Sequence, residues 1–317
     1  MPCRTTPNAP AIAEPVADGV AQAGARACDA SISRGRPLLG TLVSVQVWPD
    51  GLAAGYGTGQ AIEDAIDGAL ACVAHISRVM SAHDPDSDLG RMSRARAGEC
   101  LTLDAHTIAV LQASQYWHRV SGGAFSPARA AHALARQGRR PGLQLAVQTA
   151  LQAHTPAPPL GLQHLCLLSP TELRMPGPVL LDLGGIAKGY AVDQAVACLV
   201  RAGVRQAVVN AGGDLRVIGP RAQAVQLRHA GQGLRDRPLP ERCRLHNAAL
   251  ATSVALHAES EFVRTRPSGR QRWRSASVQA EDCMSADALT KWALQSSLLC
   301  PALRAALRTH RARLWRS

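Results

Sequence analysis

The sequence contains few aromatic side chains: Phe, Trp and Tyr make up 3% of its 317 residues. Single-stranded nucleic acids are bound largely by stacking on aromatic rings, so a stacking surface is not expected. The formal net charge of +12 still raises nucleic-acid binding as an alternative. However, no nucleic-acid-binding motif accompanies that charge, and the basic stretches at 135–140, 264–274 and 304–317 are typical of solvated surfaces. We therefore expect no nucleic-acid partner.

Long apolar runs are also missing from the sequence. No stretch of 18 or more apolar residues occurs, so no membrane-spanning helix is expected. The first 30 residues lack a basic segment followed by an apolar one, which predicts the absence of a secretory signal and a cytoplasmic location. Residues 1–35 are rich in Ala, Pro and Gly without a sustained period. We predict a disordered leader there and one folded domain over 36–317.

The nine cysteines are scattered along the chain, without a C-x-x-C pair or a Cys/His cluster of zinc-binding spacing. A disulfide framework is therefore not expected. Each cysteine is interpreted as a reduced thiol in the core.

Periodic apolar patterns predict the main elements of the first half of the chain. Residues 38–48 alternate as a strand does. Residues 61–80 place apolar side chains on one helical face. Asp104 is a suitable N-cap for a second helix that ends near Val120.

The segment from Pro178 to Gly219 predicts strand, turn, helix, strand, turn and strand. The apolar run at 178–183 is interpreted as the first strand, and a helix is expected from about Ala187 to Ala202, ended by Gly203. A last helix is predicted over 285–299 with Ser285 as its N-cap.

Two glycine pairs flank the predicted central helix. Gly184 and Gly185 in GGIAKG allow close backbone approach and unusual angles, and Lys188 adds a positive charge beside the helix N-terminus. Gly212 and Gly213 in NAGGD are a second such pair, whose consecutive backbone amides are predicted to form an anion-binding nest. One pair alone would indicate only a tight turn. Two pairs, with polar residues between them, predict a site for an anionic ligand such as a dinucleotide.

Several segments together resemble the ApbE family, the FAD:protein FMN transferases. The central motif consists of LDLGGIAKGYAVDQA (181–195) and NAGGDLRVIG (210–219). Further family-like segments are LLGT (38–41), MSAHDPDSDLGRMSRA (80–95), SGGAFSP (121–127), ALATS (249–253) and SVQAEDCMSADALTKWA (277–293). The resemblance covers nearly all of the predicted folded domain.

The resemblance implies an α+β fold of mixed or antiparallel sheets with packed helices, related to the T-fold. It implies that FAD is the substrate and Mg²⁺ the cofactor. It also implies that FMN is transferred to a Thr or Ser hydroxyl of an acceptor protein, with release of AMP. Members of the family are often exported, so the periplasm is the alternative location.

The resemblance also implies roles for individual residues. Asp287 and the backbone carbonyl of Ala187 match metal ligands, with Thr290 as a further candidate. Met80 and Ser87 fall where the family surrounds the adenine and ribose half of FAD. The positions that match the flavin-site motif are Asp182, Gly184, Gly185, Lys188, Asn210, Gly212, Gly213 and Asp214.

The sequence departs from the family pattern near the predicted metal site. The family has Asp-Ala-Leu-Ser-Thr, whose threonine completes the site, whereas here Lys291 stands four residues after Asp287 and the threonine is Thr290. One helical position turns a side chain by about 100°. Either Thr290 reaches the metal, or an inward-pointing Lys291 partly replaces its charge, or Lys291 faces solvent.

A second departure concerns the residue that deprotonates the acceptor hydroxyl. The family's His-x-x-Asp-Pro-x-Thr-Gly is absent, and counting back from Gly269 places Phe262 at the histidine position. His257 is the candidate replacement, and Ser126 stands where the family has aspartate. The alternative function is therefore a FAD-binding protein or FAD pyrophosphatase with weak or no transferase activity.

Overall fold

The computed structural model describes residues 31–49, 59–128, 131, 161–228, 238–254, 273–296 and 300–316. Its α-helices are α1 (Gly59–Val79), α2 (Asp88–Met92), α3 (Ala105–Val120), α4 (Ala187–Arg201), α5 (Cys283–Gln295) and α6 (Pro301–Thr309). Its strands are β1 (Ile32–Leu38), β2 (Thr41–Val47), β3 (Cys100–Thr102), β4 (Cys166–Leu167), β5 (Glu172–Arg174), β6 (Ala207–Ala211), β7 (Asp214–Ile218), β8 (Gln223–Arg228), β9 (Pro238–Leu245), β10 (Ala248–Val254), β11 (Ser275–Ala280) and β12 (Arg313–Arg316).

A seven-stranded sheet in the order β1-β2-β6-β7-β10-β11-β12 forms the centre of the fold. Every neighbouring pair in this sheet is antiparallel. Smaller sheets are formed by β3-β5-β4 and by β8-β9. Helices α4 and α5 pack against the large sheet and against each other, and α1 packs on α4. The predicted α+β class with antiparallel sheets is confirmed.

Helices α1, α3 and α4 form where the sequence predicts them. The predicted apolar face of α1 is buried, including Ile66, Leu70 and Val73, which have no exposed surface. Asp104 caps α3 by accepting a hydrogen bond from the His106 amide at 2.8 Å. Gly203, with φ of +80°, ends α4 in the left-handed conformation that favours glycine.

The first strand begins earlier than predicted. Residues 32–35, which the composition assigned to the leader, belong to β1 and pair with β2 across a tight turn at Leu39 and Gly40. Arg34 fixes this strand on α1 through ion pairs with Asp67 at 2.5 Å and Glu63 at 2.7 Å. The pattern at 38–48 therefore contains the turn and second strand of a hairpin rather than one strand.

The predicted strand at 178–183 is wrong. Its Val and Leu side chains are buried, but the segment forms no strand, and two of its backbone amides bond to residues outside the sheets. The Val179 amide donates to the Met92 carbonyl at 3.2 Å, and the Asp182 amide donates to the Pro127 carbonyl at 3.0 Å. Short apolar runs indicate burial but do not define the hydrogen-bond partner.

The C-terminal part differs from prediction in two ways. Helix α5 begins at Cys283 with Asp282 as its N-cap, two residues before the predicted start, and the Asp282 carboxylate accepts from the Ser285 amide at 2.7 Å. The tail at 304–317, interpreted as a solvated surface, instead contributes most of α6, where Ala306 is buried, and all of β12, which pairs with β11. Arginine-rich segments can still carry a narrow apolar face.

The cysteines only partly follow their interpretation as core residues. Cys243 and Cys283 are buried, whereas Cys100 and Cys166 are exposed. Separately, no helix in the described ranges is both long enough and apolar enough to cross a membrane. The cytoplasmic location stays a prediction.

Asp104 provides a test of acid stability. Burial raises the pKa of its carboxyl, but the His106 amide and the His75 side chain outweigh burial and hold the pKa below its usual value. A carboxyl with a lowered folded-state pKa stabilises the fold above its unfolded pKa of about 3.9, and this contribution is lost as the pH falls through the folded-state pKa. Asp104→Asn keeps an N-cap and removes the charge. We expect the free energy of unfolding, measured with urea, to fall less in this variant than in the parent protein between about pH 5 and pH 2. An equally steep fall in both proteins would contradict this role of Asp104.

Candidate functional site

Four charged side chains meet where the start of α4, the β6–β7 turn and the middle of α5 come together. Lys188 lies in the first turn of α4, and its Nζ is 2.7 Å from Oδ2 of Asp214 at the start of β7. On α5, Lys291 Nζ is 2.9 Å from Asp287 Oδ1, one helical turn away. We call these four residues the charged cluster. The structure thus brings together Lys188, Asp214 and Asp287, which the sequence assigned to one site.

Asp287 is fully buried and is close enough to both lysines for their charges to act on it. Its Oδ1 accepts from Lys291, and its Oδ2 receives the Gly189 amide of α4 at 3.4 Å. Burial raises the pKa of the Asp287 carboxyl, but Lys291 and Lys188 outweigh burial and hold the pKa below its usual value. Asp287 is therefore a carboxylate at neutral pH, although no part of it is exposed.

The other two members of the cluster respond to the same charges. The charge of Asp287 raises the pKa of Lys188 well above its ordinary value, with burial acting against it and Asp214 in support. Burial raises the pKa of Asp214, and so does the nearby Asp287, whereas Lys188 opposes both. At neutral pH the site therefore holds two ammonium groups, and their positive charges favour the ionised form of the buried carboxyl groups.

Hydroxyl groups extend the charged cluster on one side. Lys291 Nζ also donates to Ser253 Oγ near the end of β10, and Ser253 Oγ lies 2.6 Å from Thr290 Oγ1. Thr290 is fully buried and donates to the Asp287 main-chain carbonyl at 2.7 Å. The structure therefore places Lys291 inward, on Asp287, and directs the Thr290 hydroxyl into the interface between α5 and β10. Ser253 was not selected as a site residue, although it ends the ALATS segment.

The two glycine turns differ from each other in conformation. Gly212 and Gly213 have φ of +65° and +103°, as expected for a tight hairpin turn that favours glycine. Gly184 and Gly185 do not have positive φ, so the unusual angles expected there are not observed. Gly185 instead leaves space for the Lys291 side chain, because a Cβ at position 185 would lie 3.2 Å from Lys291 Cγ.

Side chains within each turn already use one of its glycine amides. Asp182 Oδ1 accepts from the Gly184 amide at 2.8 Å. Asn210 Oδ1 accepts from the Gly213 amide at 2.9 Å. Asp182 and Asn210 therefore shape the turns, and the expected nests of ligand-directed amides are smaller than the glycine pairs suggested.

Asp193 is a positioning residue that lies in the central motif but was given no role from the sequence. Its Oδ1 and Oδ2 accept from the amides of Cys283 and Met284, each at 2.9 Å, at the N-terminus of α5. Arg216 of β7 pairs with the same carboxylate at 2.7 Å. A carboxylate at a helix N-terminus is favoured by the helix dipole. Asp193 thus links α4, α5 and β7 and sets where α5 places Asp287.

Met80 and Ser87 have structural contacts in the loop that follows α1. Met80 is 7% exposed and belongs to the core. The Ser87 hydroxyl donates to the carbonyls of Ser81 and Asp84 and accepts from the Gly90 amide at 3.0 Å, which caps α2. Their proximity to FAD stays a prediction. His257, the candidate base, lies outside the described residues.

The predicted magnesium ligands do not fit a divalent ion in this arrangement. Both Asp287 oxygens have partners, one of which is the Lys291 ammonium. Thr290 donates its hydroxyl proton to a backbone carbonyl. Ala187 is the first residue of α4, where the carbonyl accepts the bond from the residue four positions later. Within the described ranges, no group of three or more His, Cys, Asp or Glu residues is arranged to hold a metal ion.

Comparisons with known proteins agree with the resemblance seen in the sequence. A profile of the ApbE family matches residues 39–297. A FAD:protein FMN transferase of Treponema pallidum (strain Nichols) is 27% identical over 244 residues, which cover 69% of this chain and 61% of that protein. A FAD:protein FMN transferase of Rhodobacter capsulatus is 54% identical over 50 residues, which cover 16% of this chain and 10% of that protein. The chain thus spans less than two thirds of the length of these relatives.

Solved structures show the same fold. A flavin transferase ApbE from Vibrio cholerae superposes with a TM-score of 0.68 at 20% identity, covering 90% of this chain and 93% of the other. An apbe protein from Thermotoga maritima gives a TM-score of 0.67 at 23% identity, covering 90% and 94%. The arrangement of the sheet and helices is therefore shared with these structures.

Proposed function

We propose, because this chain belongs to the ApbE family, that it transfers the FMN part of FAD to a Thr or Ser hydroxyl of an acceptor protein and releases AMP. The observation that supports this proposal most directly is the charged cluster beside the Gly184–Gly185 turn, in which the side chains of Lys188 and Lys291 keep 29% and 19% of their surface exposed. Phosphoryl transfer depends mainly on positioning and on neutralising phosphate charge, which this arrangement supplies.

The reaction balances as a displacement at phosphorus. The acceptor oxygen forms a bond to the FMN phosphorus, the bridging P–O bond of the diphosphate breaks, and AMP leaves with the bonding electrons. The acceptor hydroxyl loses its proton to a base. Lys188 and Lys291 offer N–H donors to the diphosphate: each ammonium has three, and the described contacts use one of Lys188 and two of Lys291.

Magnesium enters the proposal only as the cofactor that the resemblance implied. A divalent ion coordinated by phosphate oxygens neutralises their charge and polarises the phosphorus. The residues predicted to hold it are engaged with one another, as described above, so no step is derived through it.

The test is to incubate the protein with FAD and an acceptor protein that carries an exposed Thr or Ser in a flexible segment. Transfer gives AMP and covalently bound flavin, seen as in-gel fluorescence and as an added FMN mass. Release of AMP with free FMN, equal with and without the acceptor, would favour the pyrophosphatase alternative. Bound FAD without any AMP would leave only the FAD-binding alternative.

Lys188 gives a matched pair of variants. Lys188→Met removes an ammonium and should weaken FAD binding by about 1–3 kcal/mol, the value of a charge-assisted hydrogen bond. Asp214→Asn removes the anion that Lys188 pairs with and leaves the ammonium in place, so FAD affinity should hold or rise. Calorimetric titration of both folded variants checks this. Equal loss of affinity in both would show that Lys188 acts only by pairing with Asp214.

A further inference from the structure

The chain has only two lysines, and both lie in the charged cluster. Lys and Arg together number 35, yet Lys188 and Lys291 are the only lysines among them. Lysine and arginine side chains differ physically: the lysine ammonium is a compact point charge, whereas the arginine guanidinium is planar and broad. A chain that uses arginine for its other basic residues has thus placed its two compact cations within one site.

The Lys291 ammonium is bonded to two oxygen atoms at the base of the Gly185 turn. Its stem packs under the Gly185 turn, with Cγ and Cε at 3.2 and 3.3 Å from where a Cβ of residue 185 would stand. Its Nζ bonds both Asp287 and Ser253, so two oxygen atoms from two elements converge on the nitrogen. Asp287 has no exposed surface, whereas the Lys291 side chain keeps 19% of its own. The cation, not the carboxylate, is therefore the member of this pair that a ligand can reach.

A divalent ion and the Lys291 ammonium compete for the same carboxylate. In the described arrangement the positive charges of Lys188 and Lys291 balance the negative charges of Asp214 and Asp287. Adding a divalent ion would bring like charges together at Asp287 unless Lys291 moved away. Moving it away would break its contacts with Asp287 and Ser253. The local interactions therefore favour the ammonium over the metal.

We propose that the Lys291 ammonium takes the place of a divalent metal ion in this protein and, together with Lys188, binds the diphosphate of FAD without Mg²⁺. This inference rests on the proposed function for its choice of ligand. Lys291 supplies charge and one hydrogen-bond donor to the diphosphate, and Asp287 and Ser253 position it. The same site built without a lysine at 291 would leave Asp287 open to a metal.

The first experiment needs no variant. FAD is titrated into the metal-free protein by calorimetry in buffer with EDTA and again with millimolar MgCl₂. We expect dissociation constants that agree within about threefold, and we expect MgCl₂ alone to give no binding heat. A loss of FAD affinity above tenfold in EDTA, or stoichiometric binding of Mg²⁺ to the parent protein, would overturn the proposal.

Two substitutions at one position sharpen the test. Lys291→Thr removes the ammonium and supplies a hydroxyl oxygen, so FAD affinity in EDTA should fall at least tenfold and be restored by MgCl₂. Lys291→Met removes the ammonium without supplying an oxygen ligand, so the loss should persist in MgCl₂. Arg311→Ala controls for net charge, because it removes an exposed cation that pairs with Glu281 and is not part of the charged cluster. The FAD affinity of this variant should match that of the parent protein.

The outcomes separate this inference from the proposed function. Magnesium-independent FAD binding without FMN transfer would refute the function and keep the role of Lys291. Transfer that requires Mg²⁺ would keep the function and refute the role of Lys291. A Lys291→Thr protein that binds FAD as the parent does in EDTA would also refute it, and absence of FAD binding under every condition would refute both.

Discussion

Asp287→Asn is expected to lower the rate of AMP release from FAD at least about 100-fold, the cost of misplacing a group at the reacting centre by about 1 Å. Asp287 is fully buried and holds the Lys291 ammonium at 2.9 Å, so the substitution removes the negative charge that keeps that cation in position. FAD affinity should change by only a few fold, because removing a negative charge near the diphosphate offsets the displaced lysine. The expected signature is therefore a fall in kcat with little change in the dissociation constant of FAD.

The same substitution should cost only about 1–3 kcal/mol of unfolding free energy, as for a hydrogen bond to a charged group. Lys291 keeps its contact with Ser253 and part of its exposure to water. Asp282→Asn is the matched control: it lies on the same helix, as the N-cap, where Asn and Asp are about equally good. Parent-like AMP release by folded Asp287→Asn would remove Asp287 from the mechanism, and loss of activity in both variants would indicate a general disturbance of α5.

The local patterns of the sequence were sufficient for α4 and the β6–β7 hairpin, two of the elements that form the site. The helix α4 and the β6–β7 hairpin depend on nearby signals, namely apolar spacing, a C-terminal Gly203 and a glycine pair in a two-residue turn. The strand β12 and the non-strand path of 178–183 depend on which distant backbone is available for pairing. No short-range pattern carries that information.

For the candidate site, the motif predicted which residues meet but not how they are paired. Lys188, Asp214 and Asp287 come together as expected, although they are far apart in the chain. That Lys291 points at Asp287 was one of three alternatives, because a helical position defines a direction and not a partner. Asp193 was harder to assign, since its role appears only when the N-terminus of α5 is placed beside α4. The roles of Met80, Ser87 and His257 stay predictions.

Gly189→Ala is expected to destabilise the fold by about 2–3 kcal/mol and to reduce AMP release by about 100-fold. Gly189 lies on α4 where α5 begins, and a Cβ there would stand 2.3 Å from the Cys283 carbonyl oxygen and 2.8 Å from Met284 Cα. These are backbone atoms, so no side-chain rotation can relieve the overlap. Ordinary contact begins at 3.4 Å, so α5 must retreat by about 1 Å and carry Asp287 away from Lys188.

Gly68→Ala is the matched control for this effect, because Gly68 also lies inside a helix, α1, but a Cβ there would meet nothing within 4 Å. Replacing an exposed helical glycine by alanine stabilises a protein by about 0.5–1 kcal/mol. The two glycine-to-alanine changes should therefore move the urea midpoint in opposite directions, with Gly68→Ala retaining parent AMP release. If Gly189→Ala instead gained stability and kept its activity, α4 and α5 would not be in backbone contact at this point. Contacts other than that of Gly189 would then determine the distance between Lys188 and Asp287.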